Sequence, residues 1–253
     1  MNALAFFAHP DDETMLAGGT LALLAHSGVG VHYLIATSGE GGEAGEPPLC
    51  SPEKLGDYRA AELECAVKAL GGSSLTNLGY TDPGVGPANE LYPFTTNLAR
   101  LSGQVASLIR EKNIEVLISH GTNGEYGHPA HLLCNKAARL AVSSLKNEAK
   151  MLYTIAADYP NHPKPRIANQ DDPAHLILNV KPVLNYKIQA ALCHQTQHAL
   201  FMRRISITAG RKVKVPQVLM KVESLHRALP AVGGIPQDWL AERLSPWTIE
   251  QSI

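Results

Sequence analysis

Two short clusters, far apart in the chain, hold the side chains best suited to chemistry. The first is His9-Pro10-Asp11-Asp12-Glu13 and the second is Tyr126-Gly127-His128-Pro129-Ala130-His131. His9 and Asp12 are three residues apart, so an imidazole and a carboxylate from one tight strand-to-helix turn can converge on a point. Pro129 suits the first position of a helix, which puts His128 at the cap and His131 in the first turn, and residues three apart share a helix face. Two imidazoles and a carboxylate with open positions make a catalytic divalent-metal site, suited to zinc or ferrous iron. Zinc lowers the pKa of a bound water to about 7, giving a nucleophile at neutral pH. Asp11 and whichever histidine is not a ligand are left to take the water's proton, stabilise an oxyanion or protonate a leaving amine.

Each cluster has a plainer reading. Acidic residues in a first helical turn are favoured by the helix dipole and by capping alone, and an isolated His-x-x-His is commonly a surface pair. The elements that must position the clusters favour the metal. Leu4–Ala8, Val31–Thr37, Ser74–Leu78, Ile114–Ser119 and Met151–Ile155 are brief apolar runs bounded by polar or turn residues, the pattern of buried strands. Helical patterns near Glu13–His26, Gly56–Leu70, Phe94–Glu111 and Pro129–Asn147 lie between them. Arg59, Leu63, Val67 and Leu70 fall at helical spacing, with Gly71-Gly72 as a stop signal. Alternation with crossovers this long predicts a single α/β domain over residues 1–253: a Rossmann-like three-layer sandwich with a twisted, mostly parallel sheet. Ligands of such sheets bind at the carboxyl ends of the strands, where both clusters fall. A helix N-terminus also disfavours protonated histidine, leaving the neutral ligand form.

Composition excludes several other classes. The chain has 253 residues, with 22 basic and 23 acidic side chains and a formal net charge of −1, so it offers no whole-chain attraction for nucleic acid. No apolar run reaches the roughly 18 residues of a membrane span. The N-terminus lacks a basic leader, and the four cysteines (Cys50, Cys65, Cys134, Cys193) contain no Cys-x-x-Cys pair, which predicts a cytoplasmic chain with reduced, buried thiols. Gly39-Glu40-Gly41-Gly42-Glu43-Ala44-Gly45 is too acidic for a phosphate loop and lacks Lys-[Ser/Thr], so a rim loop is expected there. Gly18-Gly19 are expected to permit close helix–sheet packing, and Arg203, Arg204, Arg211, Lys212 and Lys214 to form a solvated face. Ser38–Leu55 and Ala156–Pro173 are long loops of the kind that form rims or lids. Ala174–Val180 suggests an added strand and Val183–Leu200 a helix; no element is assigned from Pro230 onward. His26, His32, His162, His175, His198 and His226 match no ligand spacing.

His9-Pro10-Asp11-Asp12-Glu13 resembles the signature of the LmbE-like (PIG-L) family of metal-dependent N-acetylglucosamine deacetylases. Further landmarks follow in order: Thr37-Ser38-Gly39-Glu40, Arg59-Ala60-Ala61-Glu62-Leu63 with Leu70-Gly71, Leu78-Gly79-Tyr80-Thr81-Asp82, His128-Pro129-Ala130-His131, and Lys187 through His194-Gln195-Thr196-Gln197. The likeness is clearest over residues 3–197, and 198–253 stay unassigned. It implies zinc (ferrous iron or another divalent ion is the alternative) on His9, Asp12 and His131, with Asp11 as general base on the metal-bound water. It implies that His128 stabilises the oxyanion or protonates the departing amine, assisted by Tyr126, and that Arg59 and Asp82 hold sugar hydroxyls. Many relatives have an aspartate where this chain has Ala130, and that aspartate orients the first histidine of the pair. The change is expected to weaken the acid role of His128 or to bring in another carboxylate. The implied partner is a small N-acetylated sugar; homo-oligomerisation is left open. The competing readings are an amidase on a related glucosaminyl conjugate, a ferrous oxygenase using the same triad, and a catalytically silent sugar-binding homologue.

Overall fold

Period-two alternation along the first strand builds the molecule in layers. The structure, a computed structural model, describes residues 1–145, 148 and 150–249. In β1 (Asn2–Phe7), Ala3, Ala5 and Phe7 point into one apolar core, while Leu4 and Phe6, with Ala8 beyond the strand, point into another. Both faces are therefore buried, as a strand covered by helices on both sides must be. Burying each large side chain contributes about 1.5–3 kcal/mol.

The strands β2 (Gly30–Thr37), β3 (Ser74–Tyr80), β4 (Val116–Ser119), β5 (Met151–Ile155), β8 (Leu176–Asn179) and β9 (Val222–Leu229) complete a seven-stranded sheet in the order β3-β2-β1-β4-β5-β9-β8. β1 to β5 are parallel, and β9 runs antiparallel to both its neighbours. The helices α1 (Asp12–His26), α2 (Leu55–Ala69) and α6 (Leu184–Cys193) cover one face; α3 (Leu98–Glu111) and α5 (Pro129–Ser144) cover the other. Strand order reverses at β1, so the crevice outside its carboxyl end is where such a fold binds ligands. His9 lies at that end, His120 follows β4, and Asp82 follows β3.

Most element boundaries agree with the sequence pattern to within a few residues, and Met151–Ile155 is reproduced. α3 starts at Leu98 rather than Phe94, because Asn97 caps it by accepting from the amides of Ala99 and Arg100 while Phe94 is buried in the α3-side core with its ring 5.1 Å from that of Tyr80. The expected end of α5 at Asn147 lies outside the described residues. The helix expected over Val183–Leu200 is broken: α6 ends at Cys193, Gln195–Gln197 is a 3-10 turn, and α7 (His198–Ala209) follows. The break sits at His194, whose ring is drawn inward instead of continuing the helical surface. Ala156–Pro173 is not structureless, since β6 (Ala157–Asp158) pairs with β7 (Asn169–Pro173). The short helices α4 (Gly124–Gly127) and α8 (Val215–Val218) precede α5 and β9, and beyond Pro230, α9 (Trp239–Leu244) is capped by Asp238 and buries Leu240 and Leu244 in the α1-side core.

Three further expectations need correction. Cys65 and Cys193 form a disulfide, so reduced thiols do not describe that pair; α2 and α6 lie side by side and bring the two Cα atoms to 5.7 Å, within disulfide reach. A separation of 128 residues hides such a pair from any spacing argument. Gly19 faces Val180, the residue after β8, where an added Cβ would come within 2.4 Å, but Gly18 faces Lys187 of α6, so the glycine pair admits a neighbouring helix as well as the end of the sheet. Arg203 is not simply solvated, because it holds Glu43 and Glu46 of the Ser38–Leu55 loop at 2.6 and 2.8 Å. Among the described residues no helix is long and apolar enough to cross a membrane.

Candidate metal centre

β1, β3, β4 and the N-terminus of α5 bring the two sequence clusters together in one cleft of about 550 Å³. His9, Asp11, Asp12, Arg59, Asp82, Tyr126 and His128 line it, and His131 lies fully buried behind them. Asp12 is central. Its Oδ2 stands 3.2 Å from His9 Nδ1 and its Oδ1 stands 3.3 Å from His131 Nε2. The ring centroids of His9 and His131 are 5.3 Å apart, and that of His128 lies 4.8 Å from His9 and 4.6 Å from His131. Asp82 Oδ1 approaches His9 Nε2 to 3.3 Å.

The donor set fits a divalent ion. His9 Nε2 and His131 Nε2 are both buried without a hydrogen bond, and unpaired buried polar atoms of this kind are rare unless something else satisfies them. Potential ligand atoms of His9, His128 and His131 fall within 4.8 Å of one another, as do those of Asp12, His120 and His131. His120 is nevertheless fully engaged: its Nε2 accepts the Ala8 amide at 3.0 Å, and its Nδ1 lies 2.9 Å from Glu125. It stacks on His131 at 3.9 Å between centroids and supports that ring without a free lone pair of its own.

Electrostatics follow from burial and carboxylate density. Burial opposes the charge on His9, but Asp12 and Asp82 outweigh it and lift its pKa to about 8. Burial likewise opposes ionised Asp12, yet His131, His120 and His9 hold it well below the usual carboxylate range. Asp11 is pushed up to about 6, first by burial and further by Asp12, against the pull of Arg59. His128 is pushed down to about 3 by burial and then by the positive His131 and His9.

Asp11 has a left-handed φ of 115°, a conformation costing of order 1–3 kcal/mol at a residue other than glycine. Arg59 secures it: Nη2 lies 3.3 Å from Asp11 Oδ2 and also bonds the Pro10 carbonyl, while Nη1 donates to Gly39 at 2.8 Å. Most of that guanidinium is thus committed to the protein, whereas Asp82 presents its carboxylate to the cleft. Tyr126 stands at the rim, more than half exposed, with its ring 5.6 Å from that of His128.

The consequence of Ala130 differs from expectation. His128 caps α5 with its own side chain, Nδ1 accepting from the Ala130 amide at 3.2 Å. A backbone N–H thus occupies the nitrogen that a carboxylate was expected to reach, and the ring proton of neutral His128 resides on Nε2. The carboxylate that does enter is Glu125, and it serves His131, with Oε2 2.6 Å from Nδ1. Glu125 is fully buried, has a left-handed φ of 59°, and is fixed through Oε1 by the Gly121 amide and Asn169. His120, Glu125 and Asn169 are the supporting residues that sequence reasoning missed. Glu125, one residue before Tyr126 and six before His131, was the legible signal, since ligating histidines usually give their other nitrogen to a carboxylate.

The likeness to known proteins bears on the same residues. The chain matches the PIG-L family, described as GlcNAc-PI de-N-acetylase, over residues 4–142, and it belongs to that family of deacetylating hydrolases. The 1D-myo-inositol 2-acetamido-2-deoxy-alpha-D-glucopyranoside deacetylase of Rhodococcus erythropolis is 30% identical, covering 93% of each chain. Two solved structures share the fold. GalB, the 4-carboxy-2-hydroxymuconate hydratase of Pseudomonas putida KT2440, aligns with a TM-score of 0.63 at 22% identity over 93% of this chain and 99% of its own. The N,N'-diacetylchitobiose deacetylase of Pyrococcus horikoshii aligns with a TM-score of 0.61 at 18% identity over 89% and 82%.

Proposed function

We propose that the protein hydrolyses the N-acetyl group of an N-acetylglucosamine-type sugar or conjugate, releasing acetate and a free amine, with His9, Asp12 and His131 holding a zinc ion. The observation that carries this reading is the pair of buried, unbonded imidazole nitrogens around Asp12, with the spare carboxylate of Asp11 in the same cleft. The deacetylase activity of the Rhodococcus relative agrees with it.

A divalent ion held by His9, Asp12 and His131 would supply a Lewis acid for the acetamide carbonyl and for the attacking water. Asp11 accepts a proton as the water oxygen bonds to the carbonyl carbon. Its pKa of about 6 still lies below neutrality, so the carboxylate is mostly ionised there, and the elevation makes it basic enough to receive that proton. His128 donates from Nε2 to the tetrahedral oxyanion, a role that neutral imidazole fills without supplying a net proton. When the C–N bond breaks, Asp11 returns its proton to nitrogen, leaving the amine and acetic acid, which gives up its remaining proton to solvent as acetate. Tyr126 flanks His128 at the rim, and Asp82 binds sugar hydroxyls. The buried Arg59 acts chiefly by holding Asp11.

Acetate release from N-acetylglucosamine and its glycosides tests the reading. Asp11→Asn retains metal and loses about 10²–10⁴-fold in turnover; wild-type turnover in that variant contradicts the mechanism.

A further inference from the structure

Glu13 and His194 are both completely buried, and no step of the reaction above uses either. They are 181 residues apart, yet His194 Nε2 lies 2.9 Å from Glu13 Oε1. The other oxygen, Oε2, accepts the backbone amide of Asp11 at 2.9 Å. Thr14 donates its hydroxyl to Oε1 at 2.5 Å. Asp11 precedes α1 without capping it through its side chain, so Glu13 reaches back and takes the amide of a residue whose backbone is left-handed.

A buried carboxylate with only an amide and a hydroxyl as partners would be an uncompensated charge. His194 supplies the compensating N–H and fixes which oxygen faces Asp11. His194 is itself anchored from both sides. Cys193 is tied to Cys65 of α2, and Thr196 donates its amide and hydroxyl to Glu62 of α2 at 2.8 and 2.7 Å. The break between α6 and α7 is thereby explained: the helix stops where the chain must aim an imidazole at the first turn of α1.

We infer that Glu13 and His194 are a positioning pair that holds the strained Asp11 turn, so that its carboxylate faces the cleft. The inference rests on the reading of Asp11 as the base, and it assigns to the late part of the chain a role in the reaction although no side chain of that pair lines the cleft.

A double-mutant cycle and an exchange measurement test it together. In the metal-loaded enzyme, His194→Gln lowers kcat by about 10–100-fold with KM changed less than about twofold and metal content unchanged. In an Asp11→Ala background the same substitution alters the residual rate by less than about twofold, because the group it positions is gone. In the metal-free protein, hydrogen exchange at the Asp11 amide accelerates by about tenfold or more in His194→Gln and in Glu13→Ala, while the amides of β4 keep their protection. Should His194→Gln fail to fold, Glu13→Gln provides the same cycle. Equal proportional losses in both backgrounds, or an Asp11 amide that exchanges at the wild-type rate, overturn the inference. A wild-type protein that releases no acetate defeats the proposed function instead, and the exchange result then judges the positioning pair by itself.

Discussion

Glu125 shows how much of the site depends on residues that never meet the substrate. Its Oε2 lies against His131 at 2.6 Å and His120 at 2.9 Å, so one buried carboxylate orients two rings. The two imidazoles bonded to it outweigh burial and hold it below the usual carboxylate range. Glu125→Gln keeps the shape and removes the charge, and metal affinity is expected to fall about 10–100-fold. Competition with a chromophoric chelator measures this, and unchanged affinity would mean that His131 is oriented by something else. The residues that meet in and behind the cleft were legible from type and spacing: His9, Asp11 and Asp12 from the strand-to-helix turn, His128 and His131 from Pro129. Those that only support them were not. Asn169 falls in a stretch that the sequence offers only as a loop, belongs to no motif, and gains its role because β6–β7 pairing carries it to Glu125. Ala130 misled in an instructive way. The partner of His128 turned out to be the backbone amide of Ala130 itself, which no side-chain pattern announces.

At the scale of elements, the parallel strands and their helices were readable because β1, β4 and β5 are short, mainly apolar runs buried on both faces. The late helices were not. A periodic pattern runs through Val183–Leu200, and only the tertiary demand for an inward His194 interrupts it. Close packing of α1 carries a prediction. A Cβ on Gly19 would meet all three side-chain carbons of Val180 at 2.4–2.6 Å. The helix α6 that follows Val180 is also tied to the sheet through the buried Lys187–Glu223 pair at 2.6 Å, so the segment between them has little room to yield. Gly19→Ala is expected to destabilise by about 1–3 kcal/mol through overpacking, despite the better helix propensity of alanine. Thermal or urea unfolding checks this. A stabilised variant would show that Val180 moves away freely.

For the molecule as a whole, two devices join distant parts of the chain: the Cys65–Cys193 bond and the pairing of Arg203 with Glu43 and Glu46. The first closes a long loop between two helices of one layer and fastens the segment that carries His194. Reduction is expected to lower stability by about 2–4 kcal/mol, read as an earlier urea midpoint with a reductant present. Coincident curves with and without reductant would show that the bond adds nothing. Neither device was visible in the sequence, because each depends on which elements the fold sets side by side. Fold class, by contrast, was legible at this scale, since strand–helix alternation with long crossovers admits few topologies.

The central claim is that His9, Asp12 and His131 together clasp one divalent ion beside Asp11. Anomalous diffraction from metal-loaded crystals, collected at the absorption edge of the added ion, tests it directly. A single strong peak about 2.0–2.2 Å from a nitrogen of each histidine and an oxygen of Asp12 is predicted. A peak elsewhere, or none in a protein that deacetylates its substrate at full rate, would contradict it.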